Sequence, residues 1–255
     1  MPILTLTTDF GYSSYHIAAL KGQLLSTSKN IQIVDVSHSI VKFDKIAAAY
    51  AMKNASIKFP DNSIHFTNVN LKEGNKRYLI VKRQNQIYIC PDNGMISIMF
   101  PEEDFKAYAL NGLEKDFTYK QINEKLCELL LVVENNEDIT SLGIQTNSYL
   151  VSPTMRAAIM GDMIRAAVIH VDEFGNLIIN VTEEMFYKFV GNKQFSINVR
   201  NYRTHQIYKH YSDVVKGEMI CLFNDAGYLE IALNENKATQ GLGVGYGAIV
   251  LVELL

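Results

Sequence analysis

The chain has 255 residues, 48% hydrophobic and 20% charged, with a formal net charge of -3; it is long enough for one large domain or two smaller ones with full cores. Scattered Lys and Arg leave no basic stripe for nucleic acid, no apolar run approaches the ~18 residues of a membrane span, and the N-terminus lacks the basic-then-apolar pattern of a secretory signal. Cys90, Cys127 and Cys221 stand far apart in apolar surroundings, the pattern of reduced thiols in a cytoplasmic protein, and the sequons at Asn54 and Asn180 are then chance matches.

The first half alternates strand and helix patterns. Ile3–Thr7 is β-rich, and Ser13 or Ser14 can cap a helix with Ile17, Leu20 and Leu24 on one face. Ile31–Val36 reads as a strand, Asp44 can cap a helix over Lys45–Ala55, and Ile64–Val69, Tyr78–Lys82 and Gln86–Cys90 are further strands. This alternation predicts an α/β N-terminal domain with a mostly parallel sheet over residues 1–140. A polar, broken stretch follows, with a linker placed at 141–157. Short strands then recur at regular spacing: Ala166–Val171, Leu177–Val181, Phe195–Val199, Met219–Phe223, Tyr228–Leu233 and Ala248–Leu254, with one helical pattern at Glu183–Val190. That signature predicts an all-β, barrel-like C-terminal domain over 158–255.

Several motifs carry chemistry in this frame. Thr7-Thr8-Asp9-Phe10-Gly11 follows the first strand directly, where an open α/β sheet faces its ligand crevice. A carboxylate there can accept two hydrogen bonds from a ribose diol, although by itself Asp9 reads equally as a turn cap. Pro91-Asp92-Asn93-Gly94 is a tight turn first. Asp172-Glu173-Phe174-Gly175-Asn176 lies between two strands: as a plain hairpin loop it needs no ligand, but Asp172 can pair with an ammonium, Phe174 offers a face to a flat ring and Asn176 can read an adenine edge. The glycine run Gly241–Gly247 precedes a strand rather than a helix, so it is not a dinucleotide loop. The six histidines show no metal-ligand spacing, so no metal site is expected.

Separately these motifs are weak, but in order they resemble one family. Thr8-Asp9-Phe10-Gly11 with Leu20-Lys21-Gly22, Val34-Asp35-Val36-Ser37-His38-Ser39-Ile40 with Phe43-Asp44, Pro91-Asp92-Asn93-Gly94, Asp172 with Phe174-Gly175-Asn176 and Asn180, and Gly227-Tyr228-Leu229-Glu230-Ile231-Ala232 with Asn234 together resemble the S-adenosylmethionine hydrolases (adenosine-forming) and the fluorinase and chlorinase adenosyltransferases. The resemblance implies a homotrimer whose active site lies between the N-terminal domain of one subunit and the C-terminal domain of the next. It implies that S-adenosylmethionine, or adenosine, binds as substrate with no separate cofactor. Asp9, beside Phe10, would hold the ribose hydroxyls and Phe43 would pack on the ribose or sulfonium side. Asp172 would bind the methionine ammonium, Phe174 and Asn176 would line the adenine pocket, and Asn224, Asp225 and the loop to Gly227 would border the amino-acid moiety.

The chain departs from the pattern where the attacking water is held. Hydrolases read Asp-Pro-Gly-Val-Gly and then an Arg; this chain has Asn70-Leu71-Lys72-Glu73-Gly74 and then Arg77. An amide orients water but takes no proton from it at neutral pH. Where relatives carry Phe-His-Gly-Arg-Asp, this chain has Phe117-Thr118-Tyr119-Lys120-Gln121, so Thr118 replaces the His. The expected catalytic set is therefore Arg77, Asn70 and Thr118, and the expected reaction is attack of water at C5′ to give adenosine and methionine. The alternatives are a catalytically impaired trimer that binds adenosine or S-adenosylmethionine, and a halide-using adenosyltransferase served by Thr118 or Tyr119.

Overall fold

In a computed structural model, which describes residues 1–71, 74–101, 104–113, 116–153 and 155–255, the chain divides into two units, residues 1–153 and 154–255. The first runs β1 (Ile3–Thr8), α1 (Tyr15–Thr27), β2 (Gln32–Ser37), α2 (Lys45–Ser56), β3 (Ile64–Asn68), β4 (Asn75–Arg83), β5 (Gln86–Asp92), α3 (Met95–Met99), β6 (Lys106–Leu110), α4 (Tyr119–Glu134) and β7 (Gly143–Gln145). Its sheet has the order β2-β1-β3-β5-β4-β6-β7.

The expectation of a mostly parallel sheet is corrected. The β1–β2, β1–β3 and β3–β5 pairs are parallel, whereas β4–β5, β4–β6 and β6–β7 are antiparallel. The physical reason is the connection: Arg83 faces Gln86 across a two-residue turn with Gln84 at φ +50°, and a link that short forces a hairpin. β7 falls inside the stretch read as a linker, of which Thr154 lies outside the described residues, and it extends the sheet through Leu110, Ala109 and Tyr108 of β6.

Both faces of this sheet are covered. Leu4, Leu6, Ile64, Phe66, Tyr78 and Ile80 pack with Leu20 and Leu24 of α1 and Ile122, Leu126 and Leu130 of α4. Val69, Leu79, Val81 and Cys90 pack with Ala48 and Met52 of α2 and Met95 and Met99 of α3. The helix starts follow capping chemistry: the Ser14 hydroxyl accepts from His16 N, and Asp44 Oδ1 accepts from Ile46 N and Ala47 N. Helix α4, absent from the reading above, carries a full capping box between Thr118 and Gln121. Chain order places α1 and α2 on opposite faces, so β1 and β3 flank a topological switch point, where open α/β sheets form their crevice.

The second unit runs β8 (Ala158–Met160), β9 (Met163–Val171), β10 (Leu177–Thr182), α5 (Glu183–Val190), β11 (Phe195–Val199), β12 (Tyr202–Thr204), β13 (Met219–Phe223), β14 (Tyr228–Leu233), α6 (Ala238–Gly241) and β15 (Ile249–Leu254). Its pairings are all antiparallel, in the order β12-β11-β15-β9-β10-β14-β13 with β8 against β9. The sheet nearly closes: Tyr208 N, just past β12, donates to Cys221 O of β13 at 2.8 Å. Alternate residues such as Val168, Ile179, Val181, Ile197, Ile231 and Val252 fill the interior with Phe186 of α5. All three cysteines are free and buried, and no helix among the described residues is long and apolar enough to cross a membrane.

Candidate functional site

At the switch point Asp9 ends β1 and organises two neighbouring loops. Its Oδ2 accepts from Phe43 N at 3.0 Å and from Asn70 N at 3.4 Å. Both donors sit in the left-handed region, at φ +67° and +53°, which costs a non-glycine residue about 1 kcal/mol or more. The carboxylate is what holds them there. The half-exposed Phe43 and the partly buried Phe10 flank the carboxylate. Phe10 packs edge-on to Tyr119 (5.3 Å between ring centroids) and tilted against His16 (5.8 Å).

Behind Asp9 runs a chain of polar contacts, buried at Thr8 and His38 and open to solvent at Asp35 and Lys21. Thr8 Oγ1 lies 2.9 Å from His38 Nδ1, His38 Nε2 lies 3.1 Å from Asp35 Oδ1, and Lys21 Nζ reaches Asp35 Oδ2 at 2.5 Å. His38 is fully buried, and its carbonyl accepts from Gly11 N at 2.8 Å. Partial burial pushes the Asp35 carboxyl up, but hydrogen bonds from Lys21 and His38 outweigh that and hold it below its ordinary value. These are residues of the first two sequence blocks, and their shared task is to set the Asp9 turn.

The Pro91–Gly94 block does more than turn. Asp92, buried at the end of β5, accepts from Arg77 Nε and Asn75 Nδ2, each at 2.8 Å, and from Leu150 N. Asn93 Nδ2 donates to Val69 O and Asn70 O, and its carbonyl accepts from Lys45 Nζ. Gly94 has φ +88°, and a Cβ there would collide with Ser152, so only glycine fits. The guanidinium of Arg77 is thus bound to Asp92 and to Ser148 O. Thr118 is exposed and caps α4, its hydroxyl accepting from Gln121 N while Gln121 Oε1 accepts from Thr118 N. Asp9, Phe10, Phe43 and Asn70 therefore come together, Arg77 is tied to the same sheet edge through Asp92, and Thr118 adjoins Tyr119 on the Phe10 side. Lys72 and Glu73 of the Asn70–Gly74 segment lie outside the described residues.

In the second unit Asp172 clamps its own loop. Oδ1 accepts from Asn176 N at 2.8 Å and Oδ2 from Asn176 Nδ2 at 3.0 Å. Gly175, at φ +81°, lets the turn pass close to Lys237, and Phe174 stands out with 77% of its surface exposed. Phe174 and Asn176 line a cleft of about 680 Å³ with Tyr211, Asn236, Lys237 and Gln240. Asn224 Oδ1 accepts from Ala226 N and Tyr228 N, shaping the turn that carries the exposed Asp225.

Two residues at this end were not singled out as site residues from sequence. Glu230 is buried and accepts from Tyr211 Oη at 2.6 Å. Burial pushes its carboxyl up; the charges of Asp172 and Asp225 push the same way, against hydrogen bonds from Tyr211 and Asn224. Burial and the Glu230 contact likewise raise the Tyr211 hydroxyl, with Asp172 and Asp225 adding to the effect. The Asp172 and Asp225 loops therefore share one electrostatic neighbourhood with Glu230.

Comparison with known proteins finds relatives of both units. Residues 4–126 match the model of the SAM hydroxide adenosyltransferase N-terminal domain, and residues 166–251 match that of its C-terminal domain. The chain is 27% identical over 258 residues to the (R)-S-adenosyl-L-methionine hydrolase of Methanocaldococcus jannaschii, covering 96% of this chain and 94% of that one. It is 23% identical to the protein of the same name from Thermus thermophilus, covering 94% and 95%. The fold is similar to that of a conserved protein from Thermotoga maritima, with a TM-score of 0.85 at 22% identity, covering 98% of this chain and 99% of that one. With both domain models matched in order along its length, this chain belongs to the SAM hydroxide adenosyltransferase family.

Proposed function

We propose that the protein hydrolyses S-adenosylmethionine, in the (R)-sulfonium form named for its relatives, to adenosine and methionine. The observation that supports this reading is the Asp9 carboxylate at the β1–β3 switch point: its Oδ2 accepts from the Phe43 and Asn70 amides, and the reading assigns Oδ1 to a ribose hydroxyl. In the reaction the water oxygen bonds to C5′, the C5′–S bond breaks, its electron pair returns to sulfur as a neutral thioether, and the water's surplus proton passes to solvent. The sulfonium leaves unaided, so the reading calls for no cofactor. What the protein supplies is orientation and a dry, polar setting.

Asn70, Arg77 and Thr118 are the residues assigned to the attacking water. Phe10, Phe43, Phe174 and Asn176 are assigned to the nucleoside, and Asp172, Asn224 and Asp225 to the amino-acid end. A homotrimer in the cytoplasm, each nucleoside enclosed by the first unit of one copy and the second unit of the next, is part of the same reading, as is the absence of nucleic-acid and membrane partners. The test is to incubate the purified protein separately with each sulfonium epimer and follow adenosine by chromatography. Adenosine from the (R)-epimer supports the proposal, and none above the buffer blank after long incubation refutes it.

A second reading, binding without turnover, is favoured by two observations: Asn70 is an amide, and Arg77 is paired with Asp92. Calorimetric adenosine binding with no product would favour it. Asn70→Asp combined with Thr118→His is then expected to raise hydrolysis at least tenfold, in line with the ~10²–10⁴-fold contribution of general base catalysis.

A further inference from the structure

Adenosine and S-adenosylmethionine both present neutral ribose O–H groups, and the proposed reaction adds a water. The first unit offers two polar atoms for such a group that the reading above does not use. Thr8 pairs with Asn68, and Tyr78 pairs with Pro91. The β3–β5 register ends at Phe66 and Ile89; continued by two residues, it sets Asn68 against Pro91. Thr8, Asn68, Pro91 and Tyr78 thus form one row across the sheet, directly behind the edge that carries Asp9, Asp92 and Arg77.

Side-chain alternation puts Asn68 on the face of Phe66, and Phe66 and Tyr78 share the α1/α4 core. The Tyr78 ring stacks on Phe66 with centroids 6.1 Å apart and planes 9° apart, and meets Phe117 edge-on. Pro91, between the two, has no N–H to offer. Tyr78 and Asn68 are 0% and 1% exposed, and among the described residues neither Tyr78 Oη nor Asn68 Oδ1 has a hydrogen-bond partner. Buried polar groups are nearly always satisfied, so two such atoms in one row call for an occupant.

We infer that Tyr78 Oη and Asn68 Oδ1 form a buried subsite for one neutral O–H group, either the attacking water or a ribose hydroxyl, behind Asp9. The pair is matched to that chemistry: Asn68 Oδ1 only accepts, and the tyrosine hydroxyl donates into the oxygen's lone pair. Burial foremost, with the charges of Cys90, Tyr119 and Asp9, holds the Tyr78 hydroxyl well above its ordinary 10.0, so it stays protonated and acts as a donor, not a base. Tyr78 is thereby a positioning residue, and this assignment rests on the proposed function for the identity of its occupant.

The test is Tyr78→Phe, which keeps the ring and removes only the hydroxyl. Its thermal midpoint without ligand should lie close to that of the unmutated protein, because the hydroxyl removed binds no protein group among the described residues. If water is the occupant, kcat falls about three- to tenfold with KM within twofold. If a ribose hydroxyl is the occupant, KM and the adenosine Kd rise by that factor with kcat unchanged, and the deoxyadenosine lacking that hydroxyl no longer distinguishes the two proteins. Unchanged kcat, KM and adenosine Kd in a folded variant overturn the inference. Should the unmutated protein neither bind adenosine nor turn over, the functional reading fails by itself, and a high-resolution crystal structure decides the subsite. An oxygen bridging Tyr78 Oη and Asn68 Oδ1 supports it; a direct bond between the two, or a dry gap, overturns it.

Discussion

Asp9 shows how one side chain can serve architecture and binding together. Truncating it to Ala removes the carboxylate that accepts from the Phe43 and Asn70 amides at their left-handed backbones. Adenosine binding by Asp9→Ala is expected to weaken ten- to hundredfold, matching the ~1.5–3 kcal/mol of a hydrogen bond to a charged group, and titration calorimetry reads it. Glu230 works the other way. Its carboxyl is held above its ordinary value, so the folded state retains a proton that the unfolded chain releases, and stability is lost as pH rises from 4.5 through the folded value. Glu230→Gln should therefore raise the urea midpoint at pH 7 and leave it nearly unchanged at pH 4. Alternation along β14 places Glu230 opposite Leu229 and Ile231, on a face that sequence alone reads as solvated. It is buried because the segment around Tyr208, Tyr211 and Val214 folds over that face.

At the scale of elements, caps and cross-strand contacts hold the site residues in place. Thr118 opens α4, whose Tyr119 packs on Phe10. Thr118→Ala should cost about 1 kcal/mol of stability in chemical denaturation, the usual value of a lost N-cap. His65 stitches three neighbouring strands, with Nδ1 2.8 Å from Thr5 Oγ1 of β1 and Nε2 3.1 Å from Gln86 Oε1 of β5. Burial lowers its pKa to about 4 from 6.5, so the folded state keeps it neutral while the unfolded chain takes up a proton below 6.5. Stability from this source is whole above pH 6.5 and falls by about 3 kcal/mol as pH drops to 4. Denaturation midpoints across that window should show the loss, and His65→Gln should flatten it. The short-range signals for α1, α2 and α5 were legible because cap and apolar spacing are local. The T-x-x-Q box of α4 was equally local, with Ile122, Leu126 and Leu130 at helical spacing behind it, yet the family motif drew attention to Thr118 as chemistry rather than as a cap.

At the scale of the whole molecule, the proposed trimer predicts a light-scattering mass of three 28.8 kDa chains, and adenosine should raise the melting temperature only under conditions that keep that assembly intact. A monomer that binds adenosine with full affinity would refute the shared pocket. The two-unit organisation, the barrel-like second unit and the position of Asp9 at a strand end followed from sequence alone, because strand and helix periods, caps and turn glycines depend on near neighbours. The direction of β4, β6 and β7, the commitment of Arg77 to Asp92, the burial of Glu230 and the row joining Asn68 to Tyr78 were settled only by the tertiary structure. Each of these depends on which strand lies beside which, and pairing between residues far apart in the chain leaves no periodicity in a single sequence to read.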